Sequence, residues 1–361
     1  MQTASLIRGG LLALFVFGPT VVQATEEIVE SSFSHGTVRW THATNGVVQY
    51  RIEWACSPTS SVWYDTGCGL APTGTTMAST VPRFFRVAVC PVPTNMTRLP
   101  GGMISGTNLL AAGESHSTLY PETYNLTVES FCMDQYEVTL ALWNDVRAWA
   151  VTNGYSFRSG SGKATNHPVY WVDWYDCVKW CNARSQKEGR EPAYYTDAAF
   201  TWVYKAGLEP EPFVKPSANG YRLPTADQWE YAARGGLSSR RFPWGDTIQH
   251  ARSNYRSNMY DIPYDTSPTY KYHPDYDNDP TPYTSPVGCF APNGYGLYDM
   301  AGNVEEWVFD WHPDTVGIGR MVRGGHWGSY ADRCRVGHRW GNFIDYEGND
   351  VGLRTVVLIN P

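Results

Sequence analysis

Chain breakers recur so often in this sequence that they favour a loop-rich fold over a helix bundle. The 361 residues include 34 glycines and 24 prolines, which mark turns and end regular elements. The longest stretch without periodicity, residues 246–296, is dense in tyrosine, aspartate and proline. A compact domain rarely keeps a loop of this length unless a ligand or an ion orders it. We therefore expect few, short regular elements and a stabilised central loop.

Composition narrows the class of protein. Charged residues make up 17% of the chain and aromatic residues 14%, with 15 tryptophans and 24 tyrosines. Disordered chains have the opposite composition, so we expect a folded protein. The net charge is -7 and no basic run occurs. A nucleic-acid-binding surface requires clustered positive charge, so we expect no nucleic-acid partner.

The N-terminus has the pattern of a secretory signal peptide. Arg8 precedes the apolar run 11–17, a Gly-Pro break follows, and small residues precede a cleavage site after Ala24. The run is too short to span a bilayer, which takes about 20 residues. The sequence therefore predicts that residues 1–24 are removed on export, with a retained signal anchor as the alternative. No later stretch is apolar enough to be a transmembrane segment.

Three regions follow the predicted signal peptide. Residues 27–92 contain partly alternating, β-branched segments at 47–55 and 79–90, which predict a small β-sandwich-like module. A proline-rich linker over 93–102 precedes the larger domain at 103–361. Short helices of that domain are marked by capping residues, listed in chain order: Thr139, Asp173 and Thr225, the last with Gln228 in a capping box and Gly235 at the helix end.

Export changes how the eight cysteines are interpreted, because an oxidising compartment permits disulfides. Three lie in the first third: Cys56, Cys68 and Cys90. Five lie in the rest: Cys132, Cys177, Cys181, Cys289 and Cys334. Since both sets are odd, we expect a free thiol or a bridge between the domains, and the connectivity stays open.

Seven motifs of the larger domain occur in a recognisable order. They are "FCMDQYEVT" (131–139), "HPVYWVDWYDCVKWCNARS" (167–185), "YRLPTADQWEYAARGG" (221–236), "FPWGD" (242–246), "NGYGLYDMAGNVEEW" (293–307), "RMVRGGHW" (320–327) and "VGLR" (351–354). Together they resemble the formylglycine-generating enzyme, or sulfatase-modifying factor, family. The resemblance implies an α+β, C-type-lectin-like fold with little regular secondary structure. It also implies a bacterial protein that is secreted, periplasmic or on the cell surface.

The resemblance implies two calcium sites, since hard cations take oxygen ligands. The family pattern places ligands of the first site at four positions of the turn before Trp307: Asp299, Gly302, Val304 and Glu306. The second set comprises Asn254, Tyr255, Asp279 and Thr281. Pro280 replaces the glycine that an EF-hand requires, so the second loop is no EF-hand. The alternative for both sets is a turn or loop of solvated acidic residues.

Cys334 is the candidate catalytic residue, but its partner is absent. Formylglycine-generating members use a Cys-x4-Cys pair after the Arg-Gly-Gly motif, whose soft thiolates suit copper. Counted from this motif, Cys334 matches the second cysteine and Ser329 replaces the first. Counted back from "VGLR", Cys334 matches neither. We therefore do not expect formylglycine generation or copper, and Cys334 is alternatively a buried structural residue.

Other chemistries have weaker support in the sequence. No two histidines lie four residues apart on a predicted helix, so the iron-dependent sulfoxide synthases of the family are a poor match and iron is not expected. No G-x-S-x-G segment that would mark a serine hydrolase occurs.

The C-terminal loops remain as a recognition surface. Aromatic and adaptable polar side chains suit ligand recognition, and the candidate pocket residues are His326, Ser329, Tyr330, Asp332, His338 and Trp340. Two functions stay open. The first is a calcium-stabilised, non-catalytic binding module for a glycan, peptide or protein. The second is an oxidoreductase of the superfamily with an altered metal site, a hypothesis that the convergence of His326, His338 and Cys334 on one metal would favour.

Overall fold

A computed structural model describes residues 92–278 and 280–358 in full, together with the strands of the preceding residues. The chain forms two compact units. The first comprises Met1–Thr94 with Pro361, and the second comprises Asn95–Asn360. No helix in the described part of the chain has both the length and the apolar character needed to cross a membrane.

The regular elements described in the first unit are strands. They are β1 (Ala13–Phe17), β2 (Thr20–Ala24), β3 (Ile28–Ser34), β4 (Thr37–His42), β5 (Val47–Ala55), β6 (Tyr64–Pro72), β7 (Thr76–Thr80) and β8 (Phe84–Val89). They form one sheet in the order β1-β2-β8-β5-β6 and a second in the order β3-β4-β7. The side chains of residues 1–91, including those of Cys56, Cys68 and Cys90, lie outside the described residues. Signal cleavage after Ala24 stays a prediction.

The second unit combines three α-helices with twelve short strands in its described residues. The strands are β9 (Met96–Leu99), β10 (Gly102–Thr107), β11 (Thr123–Val128), β12 (Phe131–Asp134), β13 (Tyr194–Tyr195), β14 (Phe213–Val214), β15 (Tyr221–Arg222), β16 (Glu305–Trp311), β17 (Gly319–Arg323), β18 (Trp340–Phe343), β19 (Val351–Gly352) and β20 (Val356–Leu358). The helices are α1 (Leu140–Val151), α2 (Trp174–Lys187) and α3 (Ala226–Arg234), with a 3-10 turn at Pro313–Thr315.

Each helix begins where the sequence predicts it. The Thr139 hydroxyl accepts a hydrogen bond from the Leu142 amide at the start of α1, and the Asp173 carboxylate accepts one from Asp176 in α2. At α3, Thr225 and Gln228 form the reciprocal capping box. These contacts satisfy amide groups that a helix start otherwise leaves unpaired.

Two four-stranded sheets organise the second unit. One has the order β15-β20-β12-β9 and the other β18-β17-β16-β19. An apolar core, which includes Phe131, Met133, Trp229, Val308 and Val356, joins strands of both sheets to α3. β9 lies within the range predicted as a linker, and it pairs with β12 as an antiparallel edge strand. The mixed, loop-rich architecture confirms the predicted α+β class.

The long segment between α3 and β16 is held by buried polar contacts. Its described residues form isolated bridges but no longer element. Asp265 is buried and accepts hydrogen bonds from the Tyr255 hydroxyl, the Asn258 amide and the Ser267 amide. Buried polar groups are stable only when they are paired in this way. Hydrogen bonds therefore supply part of the order that the sequence led us to expect from a ligand or an ion.

Candidate functional site

Successive side chains of a strand point to opposite faces, which separates the two adjacent glutamates at the start of β16. Glu306 is buried against Arg354, whose Nε donates to Oε1 and Oε2 at 2.9 and 2.8 Å and whose Nη2 donates to Oε1 at 2.7 Å. Trp229 Nε1 also donates to Oε2, at 2.6 Å. Both carboxylate oxygens of this predicted calcium ligand are thus engaged by protein donors.

Asp299 has a different environment. Its backbone is left-handed, with a φ of 56°, and its Oδ2 accepts a hydrogen bond from the Gly288 amide at 2.7 Å. The other oxygen, Oδ1, is buried and has no hydrogen-bond partner. Burial raises the pKa of Asp299 to about 6, against the lowering effects of the Gly288 amide and Arg354. One oxygen of this carboxylate is therefore available to a cation.

Glu137 adds a third acidic group to this region, which the sequence-based ligand set omitted. Its carboxylate accepts hydrogen bonds from Asn303 Nδ2 at 2.6 Å and from the Val304 amide at 3.1 Å. Burial, and then the charges of Asp299 and Glu306, raise the pKa of Glu137 well above its usual range. Arg354 is the opposing charge in this group. The Arg354 guanidinium thus offsets the charge of three buried acidic side chains, those of Glu137, Asp299 and Glu306.

The two turns predicted to bind calcium lie against each other. The Asn254 carbonyl accepts a hydrogen bond from the Asn303 amide at 2.8 Å, and a Cβ on Gly302 would come within 2.3 Å of the same carbonyl oxygen. Only glycine fits this close approach. The Asn254 side chain donates from Nδ2 to the Tyr283 carbonyl at 2.8 Å, while its buried Oδ1 has no partner.

The predicted ligand sets fit calcium in part. Calcium prefers oxygen ligands, and the unpaired oxygens of Asp299 and Asn254 together with the excess of buried acidic groups suit it. Glu306 does not fit, because Arg354 and Trp229 occupy its oxygens. The Tyr255 carbonyl accepts from His250 Nε2 at 3.1 Å, Thr281 is exposed, and Asp279 lies outside the described residues. In the described ranges no three His, Cys, Asp or Glu side chains are grouped as a metal site.

Cys334 has the surroundings of a core residue. It is fully buried in an apolar cluster with Phe242, Ile248, Tyr255 and Tyr264. Burial raises the pKa of this thiol well above its ordinary range, whereas a nucleophilic cysteine requires the thiolate. The position gives no support to a catalytic role, and Cys334 does not join the two candidate histidines in a metal-binding group of the described chain.

Two of the predicted pocket residues point inward. Ser329 is buried, and its hydroxyl accepts a hydrogen bond from the His326 amide at 3.1 Å. His338 is also buried, and its ring stacks on Trp340 with centroids 6.5 Å apart. Burial, followed by the charges of nearby arginines, lowers the pKa of His338 to about 3. These two residues support the loops and do not line a surface.

The other four predicted pocket residues are partly exposed. The Arg333 guanidinium lies 4.5 Å from the centroid of the Trp340 ring. On a second loop, Arg256 lies 5.0 Å from the centroid of the Tyr330 ring. His326 places Nε2 at 3.8 Å from Asp350 Oδ2, and Asp332 is partly exposed beside these residues in sequence. The C-terminal loops thus present arginine-stacked aromatic rings.

The sequence did not indicate that two acidic residues, Glu305 and Asp350, lie close together beside these loops. Glu305, on the face of β16 opposite Glu306, is buried, and its pKa is raised to about 8 by burial and by the charge of Asp350. Arg333 and a hydrogen bond from Asn342 oppose this effect. The Tyr346 hydroxyl donates to Asp350 at 3.1 Å. Strand alternation in "NVEEW" is the signal that separates Glu305 from Glu306, but it does not identify Asp350 as the partner.

Comparison with known proteins identifies the family. The family model described as the sulfatase-modifying factor enzyme 1-like domain matches residues 86–359. The chain belongs to this family. Among solved structures of the sulfatase-modifying factor fold, CarF superposes with a TM-score of 0.58 at 26% identity, covering 74% of this chain and 99% of CarF.

Relatives within the sulfatase-modifying factor family carry different functional names. The chaperone protein LppX of Paenibacillus barcinonensis is 34% identical, over 64% of this chain and 81% of LppX. The formylglycine-generating enzyme of Mus musculus is 31% identical, over 57% of this chain, which covers 50% of that enzyme's length. The inactive C-alpha-formylglycine-generating enzyme 2 of Bos taurus is 37% identical, over 37% of this chain and 43% of the relative. Family membership therefore leaves catalysis open.

Proposed function

We propose that this protein is an exported, calcium-stabilised binding module of the sulfatase-modifying factor family. Its ligand, a glycan, peptide or protein, binds at the C-terminal loops, outside the membrane, in a bacterial periplasm or at a cell surface. The observation that carries this proposal concerns the two positions that correspond to the Cys-x4-Cys pair of formylglycine-generating members. Cys334 is a buried core thiol, and Ser329 stands inward-facing at the other position.

The thiol positions argue against formylglycine generation for a chemical reason. A redox-active thiol pair requires two cysteines, at least one of which forms a reactive thiolate. Serine cannot form a disulfide and is a poor ligand for Cu(I). The relatives named as a chaperone and as an inactive enzyme are in line with a non-catalytic role. We therefore assign the domain to recognition.

The proposed recognition surface combines rigid aromatic rings with cations. Tyr330 and Trp340 each have a guanidinium beside the ring, an arrangement that orders both partners before a ligand arrives. Tyrosine, tryptophan and arginine are the residues that contribute most at recognition surfaces. The buried Ser329 and His338 hold the loops that carry these rings. Ordered loops lose less conformational entropy on binding.

Calcium binding is tested by thermal unfolding with and without EDTA. A ligand held only by the native state stabilises it, so we expect EDTA to lower the Tm of the full chain and added calcium to restore it. The Asp299→Asn variant should lose most of this response, because it replaces the carboxylate whose Oδ1 is unpaired with a neutral amide. The Asp246→Asn variant, at a partly exposed ion pair with Arg240, is the control and should keep the response. An unchanged Tm together with a calcium-free protein by elemental analysis would contradict calcium binding.

The absence of formylglycine generation is tested directly. The purified protein is incubated with copper, oxygen and a peptide that contains Cys-x-Pro-x-Arg, and the peptide is followed by mass spectrometry. We expect the cysteine to remain unchanged, because the chain lacks the second thiol. Conversion of the peptide cysteine to formylglycine would overturn the non-catalytic assignment.

A further inference from the structure

A cleft outside all of the predicted site residues has the features of a second binding site. It has a volume of about 480 Å³ and is lined by Arg158, Ser159, Gly160, Trp171 and Glu347. It lies within the second unit, between the segment that precedes α2 and the loop that follows β18. Ligand pockets of proteins are concave sites of this size that carry a few oriented polar groups.

Trp171 is held in an unusual way at this cleft. Its φ is 57° and 52% of its surface is exposed, although a bulky side chain rarely adopts left-handed backbone. Its amide donates to the Gly348 carbonyl at 2.9 Å, and the preceding Tyr170 exchanges two backbone hydrogen bonds with Ser161. These contacts fix the backbone, while the indole packs edge-on against the Tyr170 ring, with centroids 5.6 Å apart, and stays about half exposed. Backbone strain of this kind concentrates at functional sites.

Arg158 provides the polar side of the cleft and is joined to two carboxylates. Its Nη1 donates to Asp173 Oδ2 at 2.9 Å and lies 2.9 Å from Glu347 Oε2. Both ion pairs use Nη1. Among the described residues no hydrogen bond engages Nε or Nη2 of Arg158, so these two groups can donate to a ligand. The two carboxylates more than balance the guanidinium, so the cleft does not favour an anionic ligand.

The backbone at and beside Trp171 disfavours the binding of a peptide by strand addition. A peptide that binds by strand addition needs unpaired main-chain groups at an edge. Here the amides of Ser161, Tyr170 and Trp171 are already bonded within the protein. The Trp171 amide is therefore not available to an added strand, whereas its indole and the side chains of Arg158, Ser159 and Glu347 line the cleft and can contact a ligand. A pyranose ring matches both, since it has an apolar C–H face and hydroxyls at its edge.

We propose that this cleft binds a neutral oligosaccharide, with one sugar ring stacked on Trp171 and its hydroxyls bonded to Arg158, Glu347 and Ser159. None of the residues that line the cleft belongs to the predicted pocket that includes Tyr330 and Trp340, and the cleft needs neither calcium nor the thiol positions. The proposal therefore stands or fails independently of the function proposed above. Binding at this cleft would attach the domain to a glycan while its C-terminal loops engage another ligand.

The experiment titrates the full chain with cellohexaose, chitohexaose, maltohexaose and mannohexaose, using calorimetry and tryptophan fluorescence. We expect saturable binding of at least one of them. The Trp171→Gly variant removes the indole and suits the positive φ, so it should fold normally. It should weaken binding by about tenfold or more, as loss of a central aromatic contact does. The Glu347→Gln variant, which keeps the shape of the side chain, should weaken binding less.

The matched control is Trp202→Ala, which removes another exposed tryptophan, 70% exposed, that does not line the cleft. It should bind as the unmodified chain does. Three results would overturn the proposal. The first is that none of the four sugars binds at about 10 mM, a concentration that detects even weak affinities. The second is that Trp171→Gly and Trp202→Ala lose sugar binding equally. The third is that a proline hexapeptide binds at Trp171 and no sugar does.

Discussion

At the scale of single residues, burial decides which titratable groups carry charge. His338 lies in the C-terminal loops among Arg335, Arg323 and Arg333, and burial together with these charges keeps its ring neutral. His326 is affected in the same direction, with a pKa lowered to about 4 by burial. Both rings are thus neutral near neutral pH, the form in which histidine can bind a metal. In the described part of the chain they nevertheless do not come together with Cys334 as a metal-binding group.

The buried His338 predicts a specific sensitivity to acid. Its pKa is about 3 in the folded chain, against about 6.5 for an exposed histidine. The unfolded state therefore binds more protons than the folded state as the pH falls below about 6.5. The free energy of unfolding should therefore decrease on acidification. We expect His338→Gln to reduce this decrease by about 2 kcal/mol between about pH 6.5 and 4.5. Urea unfolding at a series of pH values measures it.

A second histidine provides the control for this measurement. His116 is half-buried and stacks on Tyr120 outside the C-terminal loops. The His116→Gln variant removes one histidine and keeps His338 together with Arg335, Arg323 and Arg333. Equal pH profiles for the two variants would show that the surroundings of His338 do not determine the acid sensitivity.

At the scale of elements, short helices depend on their ends. α3 has nine residues and carries Trp229 and Glu230 into the interior. Its first amides are paired by Thr225 and Gln228, and Gly235 ends it with left-handed backbone. Such a short helix has little stability of its own, so it relies on packing and on these caps. The position of Trp229 against Glu306 follows from where α3 begins.

The capping box predicts the effect of a single substitution. Thr225→Ala removes the hydroxyl that accepts from the Gln228 amide, and loss of such a cap costs about 1 kcal/mol. We expect the free energy of unfolding in urea to fall by this amount. Thr225→Ser keeps the accepting oxygen and should retain most of the stability. If alanine and serine destabilise equally, the methyl packing of Thr225 and not its hydrogen bond would be responsible.

What the sequence predicts well is local. Thr225 and Gln228 are three residues apart, and Asp173 precedes the helix that it caps, so the interaction and its signal occupy one short segment. Glu305 and Asp350, or Trp171 and Glu347, meet only after the whole domain has folded. No periodicity links such distant positions. The family resemblance predicted the fold but could not show that Arg354 occupies the oxygens of Glu306.

At the scale of the whole molecule, the second unit begins at Asn95, inside the range that the sequence suggests as a linker. Both of its four-stranded sheets and its three helices lie within residues 95–360. β9, near the beginning of this range, forms an edge of the sheet β15-β20-β12-β9, with Leu99 fully buried in the core. The sequence instead suggested a linker over 93–102 because of its prolines and Gly101-Gly102. Pro100 and Gly101 come directly after β9, so they end the strand.

Two fragments of the chain test where the folded unit begins. Residues 92–361 retain β9, and we expect this fragment to unfold cooperatively. Residues 103–361 lack β9, which removes the buried side chains of Met96 and Leu99 and exposes the edge of β12. Loss of one large buried side chain costs about 2–5 kcal/mol, so the shorter fragment should be at least about 3 kcal/mol less stable. Circular dichroism during urea unfolding measures the difference. Equal stability of the two fragments would restore residues 93–102 as a linker, because β9 would then contribute nothing to the fold.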